Sequence, residues 1–343
     1  AEESGINSRG FAMNTAGELV QLPKLGLAGQ ETFNAAATTN NKTVILGNED
    51  DSVVKSELRL YVGTKNNTGA WYEKAGLTNG TSYFAKIDGM ASDTEFRNTV
   101  GKGIEKNVIF NEYNTDATAV IQNSWAGTVS TGFSRIEDGA FDPKHPNDYY
   151  FVTTSSNADP KATALDPNNP DVTKRDGGGL WRLRFKDINN PLKGATVKLL
   201  LDGTEAPYLN MPDNLTIDSL GHILLQEDPG GNDHVARVAA YDVATGKLAI
   251  VAKFADKYFG KNADAATKIT NDEESSGVLD VTSLFKKSAS DKTSYFVLDA
   301  QVHTTTAIAA RPDLSSSAAI AAAVEGGQLY LLKIADWSKV EFK

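Results

Sequence analysis

Carboxylates gather at the ends of short apolar runs in this chain. Asn48-Glu49-Asp50-Asp51 follows Thr43–Leu46, and Gln226-Glu227-Asp228 follows His222–Leu225. A carboxylate at one strand's mouth faces the mouth of the neighbouring strand, so acidic strand ends that repeat can converge on one axis and hold hard cations. Other groups have suitable chemistry. Asp213 and Asn214, in Pro212-Asp213-Asn214-Leu215, supply oxygens suited to calcium or to capping a turn. Glu227-Asp228 runs on into Pro229-Gly230-Gly231-Asn232-Asp233-His234, rich in oxygen ligands but without EF-hand spacing, and reads as a metal site or a solvated loop. Asn271-Asp272-Glu273-Glu274-Ser275-Ser276-Gly277 precedes Val278-Leu279, and its plain reading is an acidic surface run. Ser134-Arg135-Ile136-Glu137-Asp138-Gly139 sets an arginine beside two carboxylates, either as an ion pair or as a planar fork that clamps a phosphate or sulfate. His303, in Gln301-Val302-His303-Thr304, is open to three roles: ligand, proton donor, or packed strand-end histidine.

The elements that must position these groups are strands. Runs with strand character recur at Glu57–Val62, Ser82–Ile87, Tyr149–Thr154, Leu180–Phe185, Thr196–Leu201, His222–Gln226, Arg237–Tyr241, Lys247–Val251, Ser294–Leu298 and Gln328–Leu332. Turn chemistry separates them, as in Lys65-Asn66-Asn67-Thr68-Gly69 and Ala244-Thr245-Gly246-Lys247. Ala140-Phe141-Asp142-Pro143 leading into Asp148–Thr154 resembles Asn214–Asp218 leading into Gly221–Glu227. Each reads as a strand, an Asp turn and an apolar strand with a polar end, the way propeller blades present inner strands. The pattern predicts an all-β fold, a single β-propeller over residues 1–343, with residues 1–40 as an N-terminal strand or extension that closes it. Six blades would average roughly 57 residues each, the excess over a compact blade lying in loops. Helical signals are weak, at Phe254–Phe259 and the alanine-rich Ser315–Val324.

Composition narrows the chemistry. The chain has 343 residues, 40% hydrophobic, enough for a sizeable core. No apolar run approaches the ~18 residues of a membrane span. A net charge of −10 and a pI near 5.0 argue against a nucleic-acid backbone as partner. Zero cysteines exclude disulfides, thiolate nucleophiles, zinc-thiolate sites and iron–sulfur clusters, so any metal must use oxygen or imidazole. There is no Gly-x-Ser-x-Gly elbow, His-Glu-x-x-His helix or Walker loop. The first residue is Ala1 rather than a methionine, which fits an exported mature form or a trimmed one, and the expectation is a secreted, periplasmic or cell-surface protein.

In sequence order these clusters resemble the PhoX family of secreted bacterial alkaline phosphatases. Val44-Ile45-Leu46-Gly47-Asn48-Glu49-Asp50 looks like the family's apolar strand ending in Cys-Glu-Glu, with Asn48 at the cysteine position. Arg135-Ile136-Glu137 matches its Arg-Pro-Glu, and Pro212–Asp228 its Pro-Asp-Gly/Asn turn and acidic-ended strand. Glu274-Ser275-Ser276-Gly277 resembles Glu-x-Thr-Gly, and Gln301-Val302-His303 a late Gln-His pair with one residue inserted. The resemblance covers about residues 43 to 304. It implies a six-bladed propeller whose axial pocket holds calcium and iron and engages a small phosphoester. Glu49, Glu137 and Glu274 would then be metal ligands; Asp213, Asn214, Glu227 and Asp228 would lie on the calcium side. Arg135 would clamp phosphate and act with Glu137 in catalysis, and His303 would contact substrate. One departure matters. No cysteine is available to bind iron, and the amide oxygen of Asn48 suits calcium better than ferric iron held through sulfur.

The leading expectation is therefore a calcium-dependent phosphoester hydrolase. Two alternatives stand beside it: a non-catalytic calcium-binding propeller that serves as a surface or assembly module, and a calcium-dependent lactonase or other esterase, since axial calcium can polarise a carbonyl as readily as a phosphoryl group.

Overall fold

The computed structural model describes residues 1–3, 5–50, 56–156, 175–230, 235–260, 263–288, 290–303, 318 and 325–343. Asp51, the stretch 231–234 and nearly all of Ser315–Val324, each singled out above, lie outside the described residues. The chain divides into two compact units: Ala1–Asp159 with Gly179–Asp202, and Pro160–Gly178 with Gly203–Lys343.

The first unit holds β1 (Phe11–Met13), β2 (Leu19–Gln21), β3 (Gln30–Ala35), β4 (Lys42–Glu49), β5 (Ser56–Thr64), α1 (Trp71–Lys74), β6 (Thr81–Ile87), α2 (Asp93–Thr99), β7 (Glu105–Tyr113), α3 (Ala119–Val129), β8 (Gly132–Phe133), β9 (Ile136–Phe141), β10 (Asp148–Thr153), β11 (Gly179–Phe185) and β12 (Ala195–Leu201). Its main sheet runs β3-β4-β5-β6-β7-β12-β11-β10-β9, all neighbours antiparallel, with β8 added to β5. Two up-and-down meanders, β3 to β7 and β9 to β12, are thus joined at their last strands, and their first strands, β3 and β9, lie against each other. Buried Leu46, Leu58 and Leu60 belong to the same core as Phe133, Phe151 and Trp181. Phe133 meets Phe151 and Trp181 edge-on at 5.3 and 5.5 Å, the geometry favoured by the ring quadrupoles.

The second unit holds β13 (Pro212–Ile217), β14 (His222–Glu227), β15 (Arg237–Asp242), β16 (Lys247–Lys253), β17 (Glu273–Asp280), α4 (Thr282–Phe285), β18 (Ser294–His303) and β19 (Glu325–Ile334). These make a four-stranded meander, β13-β14-β15-β16, and a three-stranded one, β17-β18-β19. Again the two first strands, β13 and β17, lie together. The fold is all-β as expected, built of blade-type meanders, two in each unit among the described residues.

The paired Asp turns are real repeats. Asp142 accepts the N–H groups of Lys144 and His145 and contacts the His145 ring at 3.0 Å, while Asp218 accepts those of Leu220 and His222 and contacts the His222 ring at 3.2 Å. Each closes the hairpin between the first two strands of its meander, β9–β10 and β13–β14.

Helices are more substantial than expected. α2 is capped by its own side chains: Ser92 accepts the Glu95 N–H at 3.1 Å, and Glu95 reaches back to the Ala91 N–H at 2.7 Å. In α3, Ala119, Gln122 and Ala126 are buried while Val120, Ile121 and Trp125 are exposed, so hydropathy alone gives it no amphipathic face. Phe254–Phe259 makes only a turn, with Tyr258 and Phe259 N–H groups donating to the Ala255 carbonyl.

Candidate metal centre

Each unit gathers its own acidic group. In the second unit Asp213, Asp228 and Glu274 each place one carboxylate oxygen within 4.8 Å of the other two. Calcium binds oxygens at 2.3–2.6 Å, so two oxygens on one ion lie no more than roughly 5 Å apart. The triad is of a size that could hold one metal ion.

Two interruptions of sheet pairing set this geometry. The register of β13 with β14 shifts between Pro212 and Leu215, freeing Asp213 and Asn214 from the ladder, and that of β17 with β18 shifts between Ser276 and Leu279. Such bulges re-aim side chains without ending a strand. Asn214 ties the two together by accepting the Gly277 N–H at 2.8 Å, while its own amide donates to Asp213 at 3.2 Å. Gln226 does the same from β14: it accepts the Val278 N–H at 3.0 Å and donates to the Ser276 carbonyl at 3.1 Å and to Ser275. Gly277 has φ +62, a conformation that permits the bulge at little cost.

Met211, at φ +48, lies just before β13, and its carbonyl accepts the Asp228 N–H at 3.0 Å. Positive φ in non-glycine residues stores strain and clusters at functional sites. Glu227, next to Asp228, is fully buried and answers to Arg237, which grips it through Nε at 2.8 Å and Nη2 at 2.6 Å. The same guanidinium binds the carbonyls of Pro207 and Tyr208. Glu227 therefore anchors the loop that leads into β13.

Burial, followed by the negative charges of Asp228, Asp213 and Asp299, pushes the Glu274 carboxyl up to about 9. The triad thus carries a proton at neutral pH, which an entering cation would displace. His303, at the end of β18, brings Nε2 within 3.9 Å of Glu274 and 3.4 Å of the Gln301 amide. Asp299 also belongs to the neighbourhood, accepting the Ser276 hydroxyl at 2.9 Å. Its place at the end of an apolar run was the same signal that pointed to Glu49 and Glu227.

The first unit holds the remaining expected residues. Arg135, at φ +61, is forked onto Asp50 through Nε at 2.9 Å and Nη2 at 2.7 Å, and reaches Glu137 at 3.1 Å, leaving about a third of its side chain exposed (34%). Nearby Glu31 is pushed up to about 7 by burial and by Glu3, Asp50 and Asp138. Glu49 lies deeper. Arg59 holds it at 3.0 Å, with both side chains buried, and Glu57 lies alongside. Burial and the Glu49 charge raise the Glu57 carboxyl well above the usual range. Neither Glu57 nor Arg59 stood out in the sequence; their alternation in Glu57-Leu58-Arg59-Leu60 was the available signal.

Asn48 is wholly buried in a side-chain network. Its Oδ1 accepts the Tyr149 hydroxyl at 3.0 Å, its Nδ2 donates to Thr32 at 2.9 Å, and Asn34 donates to the Tyr149 oxygen at 3.2 Å. Tyr149→Phe would leave the Asn48 oxygen without this donor. We expect a loss of about 1–3 kcal/mol in urea-induced unfolding.

A family model described as "Alkaline phosphatase PhoX" matches residues 17–283. Among solved structures, Pseudomonas fluorescens PhoX in complex with vanadate, a transition state analogue, superposes with a TM-score of 0.55 at 15% identity, over 83% of this chain and 51% of that one. The chain thus spans about half the length of that structure. No curated protein matches the sequence. With the family model running through most of the chain and including Glu49, Arg135, Glu137, Asp213, Asp228 and Glu274, the protein belongs to the alkaline phosphatase PhoX family.

Proposed function

We propose that the protein is a phosphoester hydrolase of the PhoX type, acting on small phosphomonoesters with calcium as its cation, outside the cytoplasm. The observation that carries this reading is the triad Asp213, Asp228 and Glu274 in a chain of this family. The donor set is all carboxylate, with an amide beside it, and hard oxygens of this kind suit calcium. The match through both units, from 17 to 283, supports treating them as parts of one propeller domain. Among the described residues no helix is long and apolar enough to cross a membrane.

The residues do not fit an iron centre held through sulfur. The chain has no cysteine, and Asn48 spends its oxygen on Tyr149. Asp213, Asp228 and Glu274 would hold calcium, whose charge would neutralise phosphoryl oxygens and favour attack by an oxygen nucleophile. Glu274 would have to lose its proton to act as a ligand, and His303 Nε2, 3.9 Å away, is placed to take it. Within the first unit, Arg135 is the residue we propose for phosphate contact, by its match to the family's Arg-Pro-Glu motif, and Asp50 and Glu137 hold its guanidinium in plane, so that Glu137 acts by positioning it. For Glu49 and Glu227 we propose a supporting role, since Arg59 and Arg237 neutralise them.

Purified protein supplied with calcium should hydrolyse a generic aryl phosphomonoester, and a calcium chelator should stop it. Arg135→Ala should lower kcat/KM by about 10²-fold, the usual effect of removing one donor to a developing oxyanion. Turnover no higher than that of the Arg135→Ala variant would sink the reading. Calcium-dependent stabilisation without turnover would favour the non-catalytic module, and turnover of lactones alone the esterase.

A further inference from the structure

Inside the second unit the layer between its two sheets is filled unevenly. At one end Phe296 packs edge-on against Trp337, which also stacks on His222 at 3.9 Å. Towards the other end the inward side chains of β18 shrink from Phe296 through Leu298 to Ala300, and across from them β15 and β16 offer Ala236 and Ala252. The space these alanines leave is a cavity of about 620 Å³, in the size range of sites for small organic molecules, and every residue that lines it belongs to this unit. A further wall is aromatic: Phe254, Tyr258 and Phe259, from the segment that follows β16. Backbone hydrogen bonds hold that segment, from the Phe254 N–H to the Ala236 carbonyl at 3.0 Å and from the Ile269 N–H to the Tyr258 carbonyl at 2.8 Å. Phe254 meets Phe259 edge-on at 5.0 Å. One polar group at the cavity is unsatisfied. Glu273 shares a face of β17 with Ser275, which lines the cavity, and its Oε1 accepts the N–H of Ala236 at 3.2 Å. Glu273 is 1% exposed, and its Oε2 has no hydrogen-bond partner among the described residues. A buried carboxyl oxygen left unpaired is destabilising, so a ligand that supplies its partner gains from it.

We propose that this cavity binds a small apolar alcohol or phenol, its ring body among the alanines and aromatic side chains and its hydroxyl on Glu273 Oε2. A hydroxyl both donates and accepts, so it satisfies that oxygen whether or not the carboxyl carries its proton. A carboxylate or phosphate would set an anion beside Glu273 in apolar surroundings, which disfavours charged esters here. Strand alternation separates this site from the metal centre. Glu273 and Ser275 are buried on one face of β17, and Ser275 pairs with Ala300, while Glu274 and Ser276 take the other face and pair with Gln301 and Asp299. The ligand therefore lies behind the strand that carries Glu274, and it binds without calcium and apart from hydrolysis.

Equilibrium dialysis of the calcium-free chain against 4-phenylphenol, and against biphenyl as the counterpart that lacks the hydroxyl, tests this. Saturable binding of one 4-phenylphenol per chain is expected, with biphenyl at least ~tenfold weaker. Ala300→Trp and Ala252→Trp, which fill the cavity from opposite sheets, should each abolish binding with the far-ultraviolet dichroism unchanged. Glu273→Met should bind the two compounds alike, because it removes the oxygen that tells them apart. No saturable binding, binding that survives both tryptophan variants, or equal affinity of the parent chain for the two compounds would overturn the proposal. None of these outcomes involves calcium or turnover, so the hydrolase reading stands or falls by its own test.

Discussion

Glu274→Gln is expected to reduce the rise in melting temperature produced by calcium and to remove the release of a proton on calcium binding. In the metal-free protein Glu274 titrates at about 9, so near pH 7.5 it holds a proton that calcium must expel. Calorimetric titration in buffers of different ionisation enthalpy should therefore report close to one proton released per calcium. The glutamine variant should release none. The sign follows from the raised value. Above ~4.5 an unfolded glutamate has lost its proton while the folded metal-free one keeps it, so metal-free stability falls as pH rises from there towards 9. Calcium affinity rises over the same window, approaching tenfold per pH unit below 9. At calcium 100-fold above its dissociation constant the native state gains about 2.7 kcal/mol, and losing one ligand should weaken binding at least ~tenfold. A binding enthalpy independent of buffer, or a glutamine variant still stabilised to the same degree, would remove the triad from the metal reading.

The largest stability loss is expected at Arg59. Its guanidinium neutralises Glu49 at 3.0 Å, donates to the Tyr113 hydroxyl at 3.3 Å and stacks over Phe84 at 4.9 Å, all in the buried interior of the first unit. Arg59→Met keeps the apolar volume but leaves two buried carboxyls, Glu49 and Glu57, with no cation. Breaking one side of a buried pair costs about 3–5 kcal/mol. The double variant Arg59→Met/Glu49→Gln should recover much of that, because it removes the stranded charge. Urea-induced unfolding of the parent, the single variant and the double variant measures this. A single variant within about 1 kcal/mol of the parent would mean that the Arg59–Glu49 contact contributes nothing as an ion pair.

Most strands were legible because their chemistry is local. His222–Glu227 and Lys247–Lys253 emerge within two residues of their expected bounds, since alternation and Asp or Gly turns act over a few residues. Gln30–Ala35 was anticipated only as part of an N-terminal strand or extension over residues 1–40, and Glu105–Tyr113 was not anticipated. Their half-polar sequences are strands because each has a neighbour, β4 for the first and β6 with β12 for the second. Asn271–Gly277 shows the same limit. It reads as an acidic surface run, yet Glu273 is 1% exposed and the segment opens β17. An adjacent strand converts such a run into a wall of the site.

The sequence alone determined the residue types, and with them the permitted chemistry: oxygen or imidazole ligands, no thiolate, acidic groups at strand ends and an arginine among carboxylates. Tertiary structure decided which of those carboxylates meet one another and which meet a cation of the protein's own. Glu49, Glu227 and Glu274 look alike in the sequence, each acidic beside an apolar run. Arg59 and Arg237 neutralise the first two from within the fold, at sequence separations of 10 residues. Two sheet bulges, tied by Asn214 and Gln226 across 63 and 52 residues, turn Glu274 towards Asp213 and Asp228. A carboxylate's role depends on the charge at its side within a few ångströms, because Coulomb energy in a buried site falls off over that distance and dominates its protonation. That neighbour is chosen by the register of strands, and register is a property of the folded sheet.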